Sequence, residues 1–156
     1  KRATPQNIVI GGLAGAAPPL LGWTSVTNHL DPHALLLVLI IFTWTPPHFW
    51  ALALCIKDEY AGVDVPMLPV VKGEVETRRQ IWLYSIALVL LTAVPYFLSQ
   101  LGLFYLVSAL VLGAEFLRRA WIVRQEGSRS ASWKLFGYSI FYLLILFVCM
   151  IVDRSF

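Results

Sequence analysis

Along the 156 residues, polar and apolar positions are gathered into blocks rather than alternating. No Asp, Glu, Lys or Arg falls between Arg2 and Asp31, between Asp31 and Lys57, between Arg79 and Glu115, or between Lys134 and Asp153. A helix needs about 20 mainly apolar residues to cross a hydrocarbon core about 30 Å thick, so each block is long enough to span. The uncharged block from 80 to 114 would make a helix of roughly 50 Å at about 1.5 Å per residue, and it must therefore fold back. Ser99-Gln100-Leu101-Gly102, a small polar cluster ending in Gly, supplies the turn. The pattern predicts an all-α, polytopic transmembrane helical bundle with five spans. They lie at about Ile8–Val26, Ala34–Ile56, Ile81–Leu98, Leu103–Ala120 and Leu135–Val152.

Composition agrees with that reading and excludes a soluble domain: 58% of the residues are hydrophobic and 13% charged, against about 25% charged in a soluble globular chain. Mean hydropathy is +0.72. Charge then orients the bundle. Eleven of the twelve Lys and Arg residues lie in the N-terminal stub, in the second-to-third connection or in the fourth-to-fifth region; the exception is Arg154. Because basic residues are retained on the cytoplasmic side, the N-terminal stub and residues 57–79 are expected inside and the C-terminus outside. The net charge of +3 is thus a topology signal, and with no soluble module to present it, nucleic acid is not an expected partner. Cys55 and Cys149 fall near opposite ends of their spans, too far apart for a disulfide, and both are expected free. The chain begins with Lys and has no cleavable signal pattern, so it reads as the interior or C-terminal part of something longer.

The inner connection at residues 57–79 is the most informative stretch, holding five of the nine acidic residues. Carboxylates directly below a span can share Mg²⁺, a hard cation that takes oxygen ligands and reaches its substrate through phosphate oxygens. Lys72, Arg78 and Arg79 can neutralise the same phosphates. The same residues also fit a solvated loop whose mixed charges anchor helix ends. Asp58 and Glu59 begin where the second span ends, at its mouth, and the run Val63–Val71 is too apolar, with two prolines, for a plain connector. It is expected to pack as a cap over a cavity.

Within the membrane, Pro18-Pro19 and Pro46-Pro47 each remove backbone donors and are expected to kink two antiparallel spans at one depth, either through simple packing or around a shared cavity. His48 follows the second pair. An ionisable side chain at mid-membrane is a functional candidate, as a haem ligand or a proton-transfer group, unless a neighbouring carbonyl merely satisfies it. Trp44, Phe49 and Trp50 around it can hold a flat aromatic ligand or simply pack. His29 and His33 bracket Asp31 with a spacing that suits a metal in a helix, but Pro32 breaks that geometry and favours interface anchoring. Glu115 precedes Arg118 and Arg119 by three and four residues, a local helix-end pair.

Four stretches carry a resemblance: Thr4–Gly12, Gly15–Trp23, Trp44–Leu52, and Lys57–Tyr60 with Pro66–Gly73, reading TPQNIVIGG, GAAPPLLGW, WTPPHFWAL, KDEY and PMLPVVKG. They strongly resemble the protohaem IX farnesyltransferase (haem O synthase) family of UbiA-type intramembrane prenyltransferases, and the likeness extends over essentially the whole chain. Two positions depart from the family's pattern: Ala3 stands where a basic residue is usual, and Asp64 where Gly is usual.

The resemblance implies a bundle of nine transmembrane helices with two acidic motifs on cytoplasmic loops, of which these five spans would be the last five. The second motif falls on Lys57–Tyr60; the first motif and the N-terminal helices of the full-length protein would be partners outside this chain, which alone is expected to be catalytically silent. The implied reaction is transfer of a farnesyl group from farnesyl diphosphate to a vinyl group of haem B, giving haem O in haem A biosynthesis, in a bacterial cell (inner) membrane or a mitochondrial inner membrane. The implied roles put Asp58, Glu59 and Tyr60 at the chemistry, with Asp58, Glu59 and Asp64 as Mg²⁺ ligands. Lys1, Arg2, Asn7 and Lys72 would hold diphosphate, and Trp44, His48 and Trp50 haem or the farnesyl chain. Read without the resemblance, the same spans fit part of a transporter with broken helices around a mid-membrane site, or a haem-carrying subunit. A bis-His cytochrome is disfavoured because His48 alone of the three histidines is intramembrane.

Overall fold

A computed structural model describes residues 6–57, 59, 66–98 and 100–154. The described residues are helical with no strands, as expected. In chain order the helices are α1 (Asn7–Gly15), α2 (Pro18–Thr27), α3 (Pro32–Cys55), α4 (Leu68–Val71), α5 (Gly73–Phe97), α6 (Leu103–Glu126) and α7 (Arg129–Arg154). Four stretches are long and apolar enough to cross a membrane: Asn7–Thr27 taken together, Pro32–Cys55, Gly73–Phe97 and Arg129–Asp153. The fourth expected span, α6, has the length but carries Glu115, Arg118, Arg119, Arg124 and Glu126 in its second half. Its first half, residues 103–114, is uncharged.

Three helices overrun the expected spans where they leave the apolar block. α5 starts at Gly73 rather than Ile81, α6 runs to Glu126 rather than Ala120, and α7 starts at Arg129 rather than Leu135. Hydrophobicity marks only the lipid-facing part of a helix, whereas the backbone ladder continues into water until a residue such as Gly127, at φ 62°, ends it.

Helices α3, α5, α6 and α7 form a ring in which α3 and α6 each pack against both α5 and α7, while α1 and α2 lie on α3. Burial on α5 falls at Thr77, Ile81, Ser85, Leu88, Thr92 and Pro95, and on α6 at Tyr105, Ala109, Gly113, Phe116, Ala120 and Val123. Those steps of four, four, three, four and three keep one seam facing its neighbour, the spacing of a left-handed supercoil. Lipid tails are as apolar as Leu, so close packing of small residues holds such seams together. At Gly113 a Cβ would come within 2.8 Å of the Val89 side chain. The buried hydroxyls of Thr77, Ser85 and Thr92 donate to carbonyls of their own helix, so none is left unpaired in the seam.

The proline pairs act differently from each other. Pro18-Pro19 opens α2 and breaks the first span into α1 and α2, while Pro46-Pro47 lies inside an unbroken α3. Their depths also differ, contrary to expectation. Gly12 touches Thr45, immediately before Pro46, whereas Pro18 lies six residues beyond Gly12, roughly 9 Å by helical rise. Antiparallel pairing in this register sets Trp23 against His33 further along, with stacked rings 6.0 Å apart.

The ring brings the basic connections to one end and leaves Arg154 at the other. At the first end, the Cys55 thiol donates to the Arg129 carbonyl and the Arg78 guanidinium lies against Gly127. At the second, Asp153 accepts from the backbone N–H of Gly102 and of Tyr105 and so caps α6 from α7. Both cysteines are free, Cys55 buried and Cys149 half-buried. Glu115 pairs with Arg118 and Arg119 as the spacing predicts.

Candidate functional site

Three of the resembling stretches converge at the basic end. Asn7, the first residue of α1, donates from its side-chain amide to the Pro66 carbonyl at 3.5 Å, tying the N-terminal stretch to the segment after the acidic motif. A Cβ on Gly12 would come within 3.0 Å of Thr45, so α1 crosses α3 in near-backbone contact beside the Pro46-Pro47 pair. Of the described part of the expected cap, Met67, Leu68 and Pro69 are buried while Val70 and Val71 are exposed, and α4 packs against α3 and α5. Lys57 donates to Glu74, an ion pair that clips the end of the second span to the start of α5 and closes the neck of the segment between them.

The expected diphosphate and metal residues are unevenly placed. Lys1, Arg2, Asp58, Tyr60 and Asp64 lie outside the described residues. Glu59 and Lys72 are exposed at the basic end. Arg79, expected to face phosphate, pairs with Glu76 at 3.2 Å, and Arg78 is turned toward Gly127 with its Nε buried and unpartnered. Among the described residues no group of three His, Cys, Asp or Glu side chains converges to hold a metal ion. Of the three expected Mg²⁺ ligands only Glu59 is described; Asp58 and Asp64 lie outside the described residues.

The expected aromatic face around His48 divides in two. Trp44 and His48, four residues apart, share the side of α3 that meets α7. His48 stacks between Trp44, with centroids 4.2 Å apart, and Phe136, at 4.6 Å, with the exposed Phe49 edge-on at 4.9 Å. Trp44 donates to the Ser139 carbonyl at 2.8 Å. Trp50, by contrast, points to α5, fully buried, with its ring edge-on to Tyr84 and its indole N–H unpartnered. At about 100° per residue, position 50 cannot share a face with 44 and 48. A single surface from Trp44 to Trp50 is therefore not what the helix presents.

The hydrogen bonds around His48 determine which ring nitrogen is available. Ser139 donates its hydroxyl to the Phe136 carbonyl at 2.6 Å, which leaves its oxygen to accept from His48 Nδ1, also at 2.6 Å. This network assigns the proton to Nδ1 and the lone pair to Nε2, and the hydrogen bond His48 makes among the described residues is through Nδ1. Such an imidazole can ligate a metal or accept a hydrogen bond through one edge, while its two faces stay covered. Ser139 and Phe136 escaped the sequence reading; the signal for Ser139 was the Ser132–Ser139 interval of seven on an otherwise apolar helix.

Residues 1–147 match the UbiA prenyltransferase family. The curated protoheme IX farnesyltransferase of Hahella chejuensis is 58% identical over 154 residues, covering 99% of this chain and 52% of that protein. Those of Ectopseudomonas mendocina and Teredinibacter turnerae are 57% and 60% identical, again over 99% of this chain, and over 52% and 50% of their own lengths. The chain spans about half the length of the curated relatives it matches. No solved structure matches it.

Proposed function

Because the chain belongs to the UbiA prenyltransferase family, we propose that it forms part of a membrane enzyme transferring farnesyl from farnesyl diphosphate to a vinyl group of haem B, giving haem O for haem A synthesis. The observation that carries this reading is the identity of 58% over 154 residues with a protein named for that activity. In the reaction the allylic C–O bond breaks and diphosphate leaves with the electron pair. The vinyl terminus then forms the new C–C bond, and the resulting cation takes up water and loses a proton.

The chain's own residues have separate tasks in this scheme. Lys1, Arg2, Asn7 and Lys72 hold the diphosphate at the basic end, and Asp58, Glu59 and Tyr60 line the reaction mouth. Asp58, Glu59 and Asp64 would hold Mg²⁺, which when bound neutralises the leaving group. The Met67–Pro69 cap keeps water from the allylic cation. Trp44 and His48 serve the haem, His48 through Nε2, and Trp50 stiffens α3 behind them. Residues 57–79 face the cytoplasm; a thiol at Val75→Cys should resist an impermeant reagent that labels His29→Cys, and labelling of position 75 alone would invert the orientation.

The reading is tested by binding. Farnesyl diphosphate should be retained by the full-length protein in nanodiscs with Mg²⁺ and lost with chelator, and His48→Ala should weaken haem retention more than farnesyl diphosphate retention. Retention of neither substrate by the folded protein would overturn the proposal.

A further inference from the structure

At the basic end, α6 and α7 enclose a polar recess of about 500 Å³ that the transferase reading does not use. Its cations are Arg118, Arg119 and Lys134; Ser128 and Ser130 add hydroxyls, and Glu126 is the one acidic group in its wall. The arginines are held in place. Glu115 accepts from Arg118 at 2.6 and 2.8 Å and from Arg119 at 2.6 Å, so one carboxylate is shared by two guanidinium groups. Arg119 also donates to the Lys134 carbonyl at 3.4 Å and lies over the Tyr138 ring, 4.7 Å from its centroid. Glu126 accepts from Ser128 at 3.3 Å. Lys134 is exposed and has no ion pair among the described residues. Between residues 115 and 134, Arg118, Arg119, Arg124, Arg129 and Lys134 stand against Glu115 and Glu126 alone, an excess of three positive charges.

A second observation sets the depth of this recess. Trp121 on α6 and Trp133 on α7, each 43% exposed, are next in sequence to the lining residues Ile122 and Lys134 and so lie at the same depth, and half-exposed tryptophans gather where the hydrocarbon meets the headgroups. One heptad further toward the membrane interior, Val111 on α6 and Phe141 on α7 stand exposed on the faces that carry Arg118 and Lys134. A molecule seated here would meet cations and hydroxyls at its head and an apolar helix surface below it.

We propose that the α6–α7 recess binds the phosphate headgroup of an anionic phospholipid from the leaflet that this end of the bundle meets. Basic pockets between membrane helices recognise such headgroups, because a fixed guanidinium and an unpaired ammonium complement a phosphate with one ester-bound chain side and free oxygens. Free phosphate or diphosphate shares the anionic chemistry but not the apolar extension, and the experiment separates them.

The protein in detergent is titrated with phosphatidylglycerol or phosphatidylcholine and bound lipid is counted by native mass spectrometry. Phosphatidylglycerol should be retained at lower concentration, and Lys134→Gln should weaken it by about fivefold, the usual effect of one basic residue near an anionic surface. Ser130→Glu, which sets a carboxylate in the recess without touching the Glu115 pairs, should weaken it at least as much while thermal stability is unchanged. Equal retention of the two lipids, or unaltered phosphatidylglycerol binding in both variants, would overturn the proposal. Displacement of the lipid by inorganic diphosphate at equal concentration would also overturn it and assign the recess to a free anion.

Discussion

The two ends of the bundle hold different cavities. The end that carries Arg154 encloses about 360 Å³ among Trp23, Leu36, Pro95, Leu101 and Met150, mainly apolar with His33, Gln100 and Arg154 also in its wall, beside an open recess of about 600 Å³ at Tyr96, Gln100, Gly102 and Asp153. The other end holds the polar recess of about 500 Å³. The means of fixing each end differ too. At the apolar end short acidic side chains reach backbone amides: Asp153 caps α6, and Asp31 accepts from the His33 amide at 2.8 Å to start α3 behind Pro32. At the basic end one such cap, Ser128 accepting from the Ala131 amide at 3.1 Å, is joined by long side chains that pair with each other, Lys57 with Glu74, Arg79 with Glu76, and Arg118 and Arg119 with Glu115. Backbone caps hold helix ends, whereas exposed ion pairs contribute little to stability. The comparison therefore separates a structural end from an end whose surplus charge is available to ligands.

The sharpest way to break that division is at Asp58 and Glu59. Each changed to Ala in the full-length protein should lower haem O formation by roughly 100-fold, the usual scale for losing one group that stabilises developing charge, with the amount of inserted protein unchanged. Near-normal turnover in both variants would make the basic end structural as well.

Next comes stability. Asp153→Ala removes the cap from α6 and should cost about 1 kcal/mol, lowering the melting temperature by a few degrees. Glu74→Ala breaks a half-exposed ion pair and should cost no more than about 0.5 kcal/mol. A larger loss from Glu74 than from Asp153, in the same detergent melt, would reverse the assignment of the structural end.

The smallest effect is in acid. The His33 backbone amide, then the His33 ring, hold the Asp31 carboxyl below its ordinary value of 3.8. A carboxylate depressed on folding contributes stability above its unfolded value and loses it as pH falls through the folded one. The melting temperatures of the wild type and of Asp31→Asn should therefore converge as pH is lowered below 3.8. A gap that widens there would remove Asp31 from the set of helix caps.

Much of the bundle was legible because charge exclusion from hydrocarbon writes span positions directly into the residue pattern. The fold-back between Phe97 and Leu103 follows from that physics; the Glu115 pairs were legible from helical spacing, and the burial of Met67–Pro69 from an apolar, proline-bearing run. Helix ends beyond the lipid were not legible, since water permits Gly73–Gln80 or Arg129–Lys134 to be helix or loop alike. The depth of the Pro18-Pro19 break could not be read either; it depends on Gly12 admitting α1 onto Thr45, a contact between spans. The same holds for His48. Its place on a mid-membrane helix was visible, but the choice of Nδ1 for Ser139 depends on the register of α7 against α3. Trp50 was misjoined to Trp44 because a compact motif in the sequence need not lie on one face of a helix.

The central claim, that this bundle serves farnesyl transfer to haem, is tested most directly by product. Membranes carrying the full-length protein of which this chain forms part, supplied with haem B, farnesyl diphosphate and Mg²⁺, should accumulate a haem heavier by one farnesyl group and one hydroxyl group, detected by mass spectrometry and abolished by chelation. Unmodified haem B alone, from membranes in which the protein is shown to be folded and inserted, would contradict the account.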